Sequence, residues 1–198
     1  MKKAALMIYP NFSLQEVTCL TSLFMFHKKQ LDVFGAEHKI YMSEDYIQVI
    51  PNKTFAEFNQ DEYDVLVLPG MIDFKEAIED ERNIQLLKTL KNNKNILIAS
   101  ISSSPVLLAK AGLLEDTKFS SGLFEEAFEM FEFLPKRNAV RQPITVDKNI
   151  ITAIAFAYRE FAIKVGQMLN IPVDESLFSG IRKEPPYSEE ELTFYASK

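Results

Sequence analysis

Short apolar runs closed by turn residues alternate along this chain with stretches whose apolar positions recur at helical spacing. Ala4 to Tyr9 is a continuous apolar run ended by Pro10-Asn11, the pattern of a buried strand. Ser13 follows as a candidate N-cap, and Glu16 three residues on completes a capping-box pattern. Val17, Leu20, Leu23, Phe24 and Phe26 then give Leu14 to His27 the apolar face of a helix packed on a sheet. Leu31 to Phe34 reads as a second strand, and Tyr46 to Ile50 as a β-rich segment stopped by Pro51. The clearest strand is Tyr63 to Leu68, which ends in Pro69-Gly70 as a central parallel strand does.

A helix is predicted from Phe74 to Leu90, with Ala77, Ile78, Ile84, Leu87 and Leu90 facing inward. Asn95 to Ala99 is the next buried strand. The chain turns at Ser100-Ile101-Ser102-Ser103-Ser104 and enters a helix at Pro105, a residue suited to a first helical turn. That helix ends at Ala111-Gly112, with the glycine as its cap. Phe119 to Ser121 reads as a short strand. Leu123 to Leu134 reads as an amphipathic helix, with Phe124, Phe128 and Phe131 on one face and four glutamates around the rest. Pro143 to Val146 and Ile150 to Ala153 form a predicted hairpin, and Phe156 to Leu169 a last large helix. Beyond Pro172 come a Pro185-Pro186 break and an acidic helix start at Ser188.

Strands alternating with helices across short joints predict an α/β fold: a doubly wound, mostly parallel sheet with helices on both faces, a flavodoxin-like three-layer sandwich. The length of 198 residues fits one domain. We assign residues 1–170 to it and residues 171–198 to an extension packed on the same domain.

Composition narrows the function classes. A formal charge of −6 and the lack of a basic stripe argue against nucleic acid as a partner, since that binding needs Lys and Arg to displace counterions. The seven-residue apolar start is short for a signal core and reads as the first strand, and no segment approaches the roughly 20 apolar residues of a membrane span. A lone Cys19 forms no internal disulfide and points to the cytoplasm. No Cys/His cluster has metal spacing, and no glycine-rich phosphate loop is present, so neither a metal nor another cofactor is expected. Cys19, one turn after Glu16, reads as a small core residue, and His27 as a cation at a helix end.

In doubly wound sheets ligands bind at the carboxyl ends of the strands. Here those ends are Tyr9-Pro10, Pro69-Gly70 and Ser100 to Ser103. A buried strand that turns directly into a helix presents one side chain at its apex, the logic of a nucleophile elbow. The apex is Ser102, and the N–H groups of Ser103 and of Gly70 or Met71 are candidate oxyanion donors.

The strand Tyr63 to Gly70, the elbow Ala99 to Pro105 and the helix end Leu108-Ala109-Lys110-Ala111-Gly112-Leu113-Leu114 resemble the DJ-1/PfpI family of the class I glutamine amidotransferase-like superfamily. The resemblance extends to Phe12-Ser13-Leu14-Gln15-Glu16, where the family carries a glutamate that hydrogen-bonds its elbow cysteine; Glu16 matches it. It implies the doubly wound fold, a homodimer, and an intracellular protease or amidase label. The family's cysteine falls on Ser102, the following glycine on Ser104, and the second glycine of its Pro-Gly-Gly turn on Met71. The histidine that often follows in the next strand falls near Gly122. A thiol of pKa about 8.5 is readily ionised at an elbow. A serine hydroxyl needs an adjacent base, and no histidine follows this elbow. Two readings stand. In one, the chain lacks the family's cysteine chemistry and binds a small ligand or partner at the elbow pocket. In the other, it is a serine-dependent hydrolase or hydratase using Ser102 with Glu16.

Overall fold

A computed structural model describes residues 2–174, Phe178 and Ser188. In chain order its elements are β1 (Lys3–Met7), α1 (Gln15–Phe26), β2 (Leu31–Gly35), β3 (Tyr41–Met42), β4 (Gln48–Val49), β5 (Lys53–Thr54), β6 (Tyr63–Leu68), α2 (Lys75–Glu79), α3 (Glu81–Lys88), β7 (Leu97–Ile101), α4 (Pro105–Lys110), α5 (Glu125–Met130), β8 (Ile144–Asp147), β9 (Ile150–Ala153) and α6 (Tyr158–Met168). Seven strands form one sheet in the order β5-β2-β1-β6-β7-β9-β8, parallel throughout except for the β8–β9 pair. β6 and β7 pair from Val65 with Leu97 to Leu68 with Ser100. Both are buried almost along their whole length, which is why, apart from Asp64 and Ser100, they read as apolar runs rather than alternating ones. Helix α1 packs on α6, while α2 and α3 pack on α4, so a helical layer covers each face. The fold is the predicted α/β sandwich.

The chain order reverses between β1, whose neighbour β2 lies on one side, and β6 on the other. That switch point is where such sheets leave a crevice beyond their carboxyl ends. Helix α4 stops as its sequence directs. Gly112 takes φ +76°, the Gly112 N–H donates to the Ala109 carbonyl at 2.9 Å, and the Leu113 N–H donates to the Leu108 carbonyl at 2.9 Å. This is the Schellman arrangement that satisfies the last carbonyls of a helix.

Several expected elements differ. The Phe74–Leu90 helix is broken at Asp80, which adopts an extended conformation and caps α3 by accepting from the Arg82 N–H. A short polar side chain with a nearby N–H outcompetes helical continuity there. The Tyr46–Ile50 segment supplies only β4, in a two-stranded antiparallel ladder with β3 beside the main sheet. Phe119 to Ser121 contributes one isolated bridge, from Phe119 to Ala139, rather than a strand. The Leu123–Leu134 helix shrinks to α5 because Phe124 and Phe131 are both extended. Phe131 instead packs on Phe74 and Phe133, with ring centroids 5.8 and 5.3 Å away, so aromatic contact overrides the helical period. The expected face is also split: Phe128 is buried while Phe124 is 81% exposed.

The capping box expected at α1 does not form. Leu14 is the capping residue, no side chain caps the helix, and the Ser13 N–H donates to the Gly70 carbonyl at 2.7 Å. Of the expected C-terminal extension, Ile171 and Val173 pack against the core. The rest, with the expected helix start at Ser188, lies largely outside the described residues.

Candidate functional site

Strand β7 ends at Ile101, and Ser102 turns the chain with φ +63°. A serine in this left-handed region is uncommon and costs free energy, so surrounding bonds must hold it. They do. The Ser102 N–H donates to the Ala153 carbonyl at 2.8 Å, and the Gly122 N–H donates to the Ser102 carbonyl at 2.6 Å. Gly122 eases that approach, since a β-carbon there would lie 3.3 Å from the Ser102 backbone, a tight contact. Behind the turn, the fully buried Ser104 hydroxyl sits within 3.0 Å of the Leu68 and Ile101 carbonyls and 2.7 Å from the Ser100 hydroxyl. It also accepts from the Ile101 N–H at 3.0 Å. The elbow is thereby tied to the end of β6.

Glu16 reaches the same point from α1. Its carboxyl accepts from the Gly70 N–H at 2.7 Å. The Glu16 carboxyl and the Ser102 side chain converge over the Gly70 Cα, where a β-carbon would stand 2.3 Å from Glu16 Oε2 and 2.7 Å from Ser102 Oγ. Only glycine leaves room for both. Burial pushes the Glu16 carboxyl up to about 7, although hydrogen bonds from Ser102 and Gly70 favour its ionised form. The carboxylates of Glu44 and Asp45, on the turn between β3 and β4, add to the upward shift. Beside them the phenol of buried Tyr9 donates to the Pro69 carbonyl, and burial raises it well above its ordinary range.

Ser103 makes a reciprocal pair with Met71. The Met71 N–H donates to Ser103 Oγ at 2.9 Å, and the Ser103 hydroxyl donates to the Met71 carbonyl at 2.8 Å. Ser102, Glu16, Gly70, Met71 and Ser103 are therefore all brought together at the carboxyl ends of β1, β6 and β7. Their bonding differs from the oxyanion arrangement considered from the sequence. The Gly70 N–H is engaged by Glu16 and the Met71 N–H by Ser103. Among the described residues, only the Ser103 N–H at the elbow has no acceptor within hydrogen-bond range.

A cavity of about 390 Å³ opens directly onto Ser102 and Ser103. Its walls are Met71, Ile72, Phe74, Leu123, Phe124, Ala127, Met130 and Phe131, with Gly122 and Glu126 completing the lining. Sequence reasoning missed most of this wall. The phenylalanines of residues 124–131 were visible, but a helical period assigns them to a core or an interface rather than to a cavity. Gly122 carried no local signal, because its role is set by a contact with Ser102 twenty positions away. His27 caps the end of α1 and His38 lies near Pro51 and Glu57, so neither is at the site. Among the described residues no group of His, Cys, Asp and Glu side chains could hold a metal ion.

Chemically, Glu16 is a carboxyl close to neutrality in contact with a hydroxyl. It could accept the Ser102 proton, yet two of the three N–H groups that would steady a developing oxyanion are already bonded.

A doubly wound α/β sheet with a strained strand-to-helix elbow, a buried glutamate against it and a glycine turn facing it defines the class of protein. The chain belongs to the DJ-1/PfpI family, whose profile matches residues 2–167. It is 34% identical over 123 residues to an uncharacterised protein of Methanocaldococcus jannaschii, across 60% of this chain and 58% of that protein. It is 27% identical over 127 residues to protein dj-1beta of Drosophila melanogaster, across 62% of this chain and 65% of that protein. The similarity thus spans less than two thirds of either relative. Among solved structures, a DJ-1 superfamily protein of Agrobacterium tumefaciens matches with a TM-score of 0.78 at 18% identity, over 89% of this chain and 94% of that one. Drosophila melanogaster DJ-1beta matches with a TM-score of 0.69 at 23% identity, over 87% and 100%. At these identities the structures establish a shared fold. No helix among the described residues is long and apolar enough to cross a membrane.

Proposed function

We propose that this chain is a ligand-binding member of its family, with Ser102 standing where the family carries its cysteine, and that it works without cysteine chemistry. The observation that supports this reading is the pairing of an apolar cavity of about 390 Å³ with a floor whose Gly70 and Met71 N–H groups are already bonded. That volume falls within the range of small-molecule sites, and such sites are mostly apolar with a few fixed polar groups. Serine has no oxidation ladder, so redox sensing at this apex has no chemistry to draw on.

Incubation with activated esters and 2-oxoaldehydes is expected to give no turnover, or turnover unchanged in Ser102→Ala. Turnover that falls at least a hundredfold in Ser102→Ala would overturn the reading in favour of a serine-dependent hydrolase or hydratase using Glu16 as base. A library of small apolar compounds is expected to shift the methyl resonances of Met71 and Met130, which line the cavity.

We also propose a cytoplasmic homodimer, a reading supported by the family resemblance and by the single cysteine of the chain. Sedimentation at micromolar concentration should return twice the chain mass of 22.7 kDa; a monomer alone would refute the dimer.

A further inference from the structure

The cavity above Ser102 has a charge character that its apolar lining conceals. Three phenylalanine rings, Phe74, Phe124 and Phe131, face it, together with the thioethers of Met71 and Met130. Phe74 and Phe131 meet edge to face, 67° apart, which turns their ring faces in different directions around one space. Among the described residues that line it there is no lysine, arginine or histidine, and the charged group is Glu126. Its neighbour Glu125 is paired with Lys136 and Arg141, whereas no cation among the described residues pairs with Glu126. Below the floor lies the Glu16 carboxyl, which meets Ser102 over Gly70, with Glu44 and Asp45 close enough to act on it. The site thus combines aromatic faces, polarizable sulfur and one unpaired carboxylate, with no cationic side chain among the described residues that line it.

Aromatic faces carry a negative quadrupole and attract weakly hydrated cations, most strongly where water is excluded. The same surroundings repel carboxylates and phosphates, for which the lining offers no charged donor. We propose that the elbow cavity selects an organic cation, a tertiary or quaternary ammonium group carried on an apolar body, held among Phe74, Phe124 and Phe131 and facing Glu126. This rests on the ligand-binding reading above and specifies the chemistry of the ligand.

Choline, 3,3-dimethylbutan-1-ol and 3,3-dimethylbutanoate test it, because the first two share one shape and differ in charge, and the third carries the opposite charge. Each is titrated into the full chain while the methyl resonances of Met71 and Met130 are followed. Choline is expected to bind about tenfold more tightly than the alcohol, within the range that cation–π contacts supply. The butanoate is expected to give no saturable shift. Glu126→Gln, at an exposed position, should weaken choline severalfold and leave the alcohol unchanged. Phe131→Leu should weaken choline more than the alcohol. If the alcohol or the butanoate binds as tightly as choline, the charge selection is wrong while the cavity remains a ligand site. If no compound shifts either methyl, both this inference and the ligand-binding reading fall.

Discussion

Gly70→Ala is expected to destabilise the protein by about 2–3 kcal/mol, a fall of roughly 5–10 °C in Tm for a chain of this size. Gly70 needs no left-handed backbone; the cost comes from space. The added methyl would lie 2.3 Å from Glu16 Oε2 and 2.4 Å from the Ser102 Cβ, distances that β-carbons do not tolerate. Neither neighbour retreats cheaply. Glu16 is buried on the first turn of α1, and Ser102 is held by backbone bonds to Ala153 and Gly122. Chemical denaturation of Gly70→Ala beside Gly122→Ala provides the measurement. The second variant meets Ser102 at 3.3 Å, where a few tenths of an ångström of movement suffices, so its loss should be smaller. Adding Ser102→Gly to Gly70→Ala removes one of the two obstacles and should restore part of the stability. Equal stability of Gly70→Ala and the parent would refute the close approach.

Glu16→Gln is expected to stabilise the protein by about 2–3 kcal/mol at pH 8 and by nearly nothing at pH 4.5. The folded chain holds the Glu16 proton up to about pH 7, whereas the unfolded chain releases it near the ordinary value of 4.5. Between those values the native state binds more protons than the unfolded state. The contribution of this group is therefore fully present at low pH, declines as pH rises from 4.5 to 7, and is flat above 7. Glutamine keeps an acceptor for the Gly70 N–H and carries no charge to bury, so the decline disappears. Thermal denaturation of both proteins across pH 4.5 to 8 gives the difference directly. A difference that does not grow with pH would mean that Glu16 ionises in the folded chain as it does in water.

These two variants also mark what the sequence could and could not disclose. The strands expected at Ala4 to Tyr9, Tyr63 to Leu68 and Asn95 to Ala99 correspond to Lys3–Met7, Tyr63–Leu68 and Leu97–Ile101, the last running two residues into the expected turn; they were legible because a parallel strand buried on both faces is mostly apolar. The elbow was legible because a strand, a serine-rich turn and a proline-led helix follow one another directly. Glu16 was identified, but its local pattern pointed equally to a helix cap. A capping box is a four-residue signal, Ser13 to Glu16, and its competitor, the Gly70 N–H, is 54 positions distant. The break at Asp80 and the shortening of α5 were hidden for a related reason. Each depends on a bond or an aromatic contact whose partner the helical period does not reveal. The cavity was the least legible feature, since an inward-facing phenylalanine has one sequence pattern whether it meets another side chain or an empty space.

The Ser103–Met71 pair has a consequence for how this site could change over time. Two reciprocal bonds weld the turn after β6 to the elbow after β7, and the buried Ser104 hydroxyl adds a second weld beneath them. The hearth of the cavity is therefore a single rigid piece whose parts cannot be retuned one at a time. Its hood is different: residues 123–131 hold only one short helix, and Phe124 and Met130 stand mostly in solvent. New specificities should arise by exchange of the exposed hood residues Phe124 and Met130 at little expense to folding, while alterations in the hearth meet the whole stability of the domain.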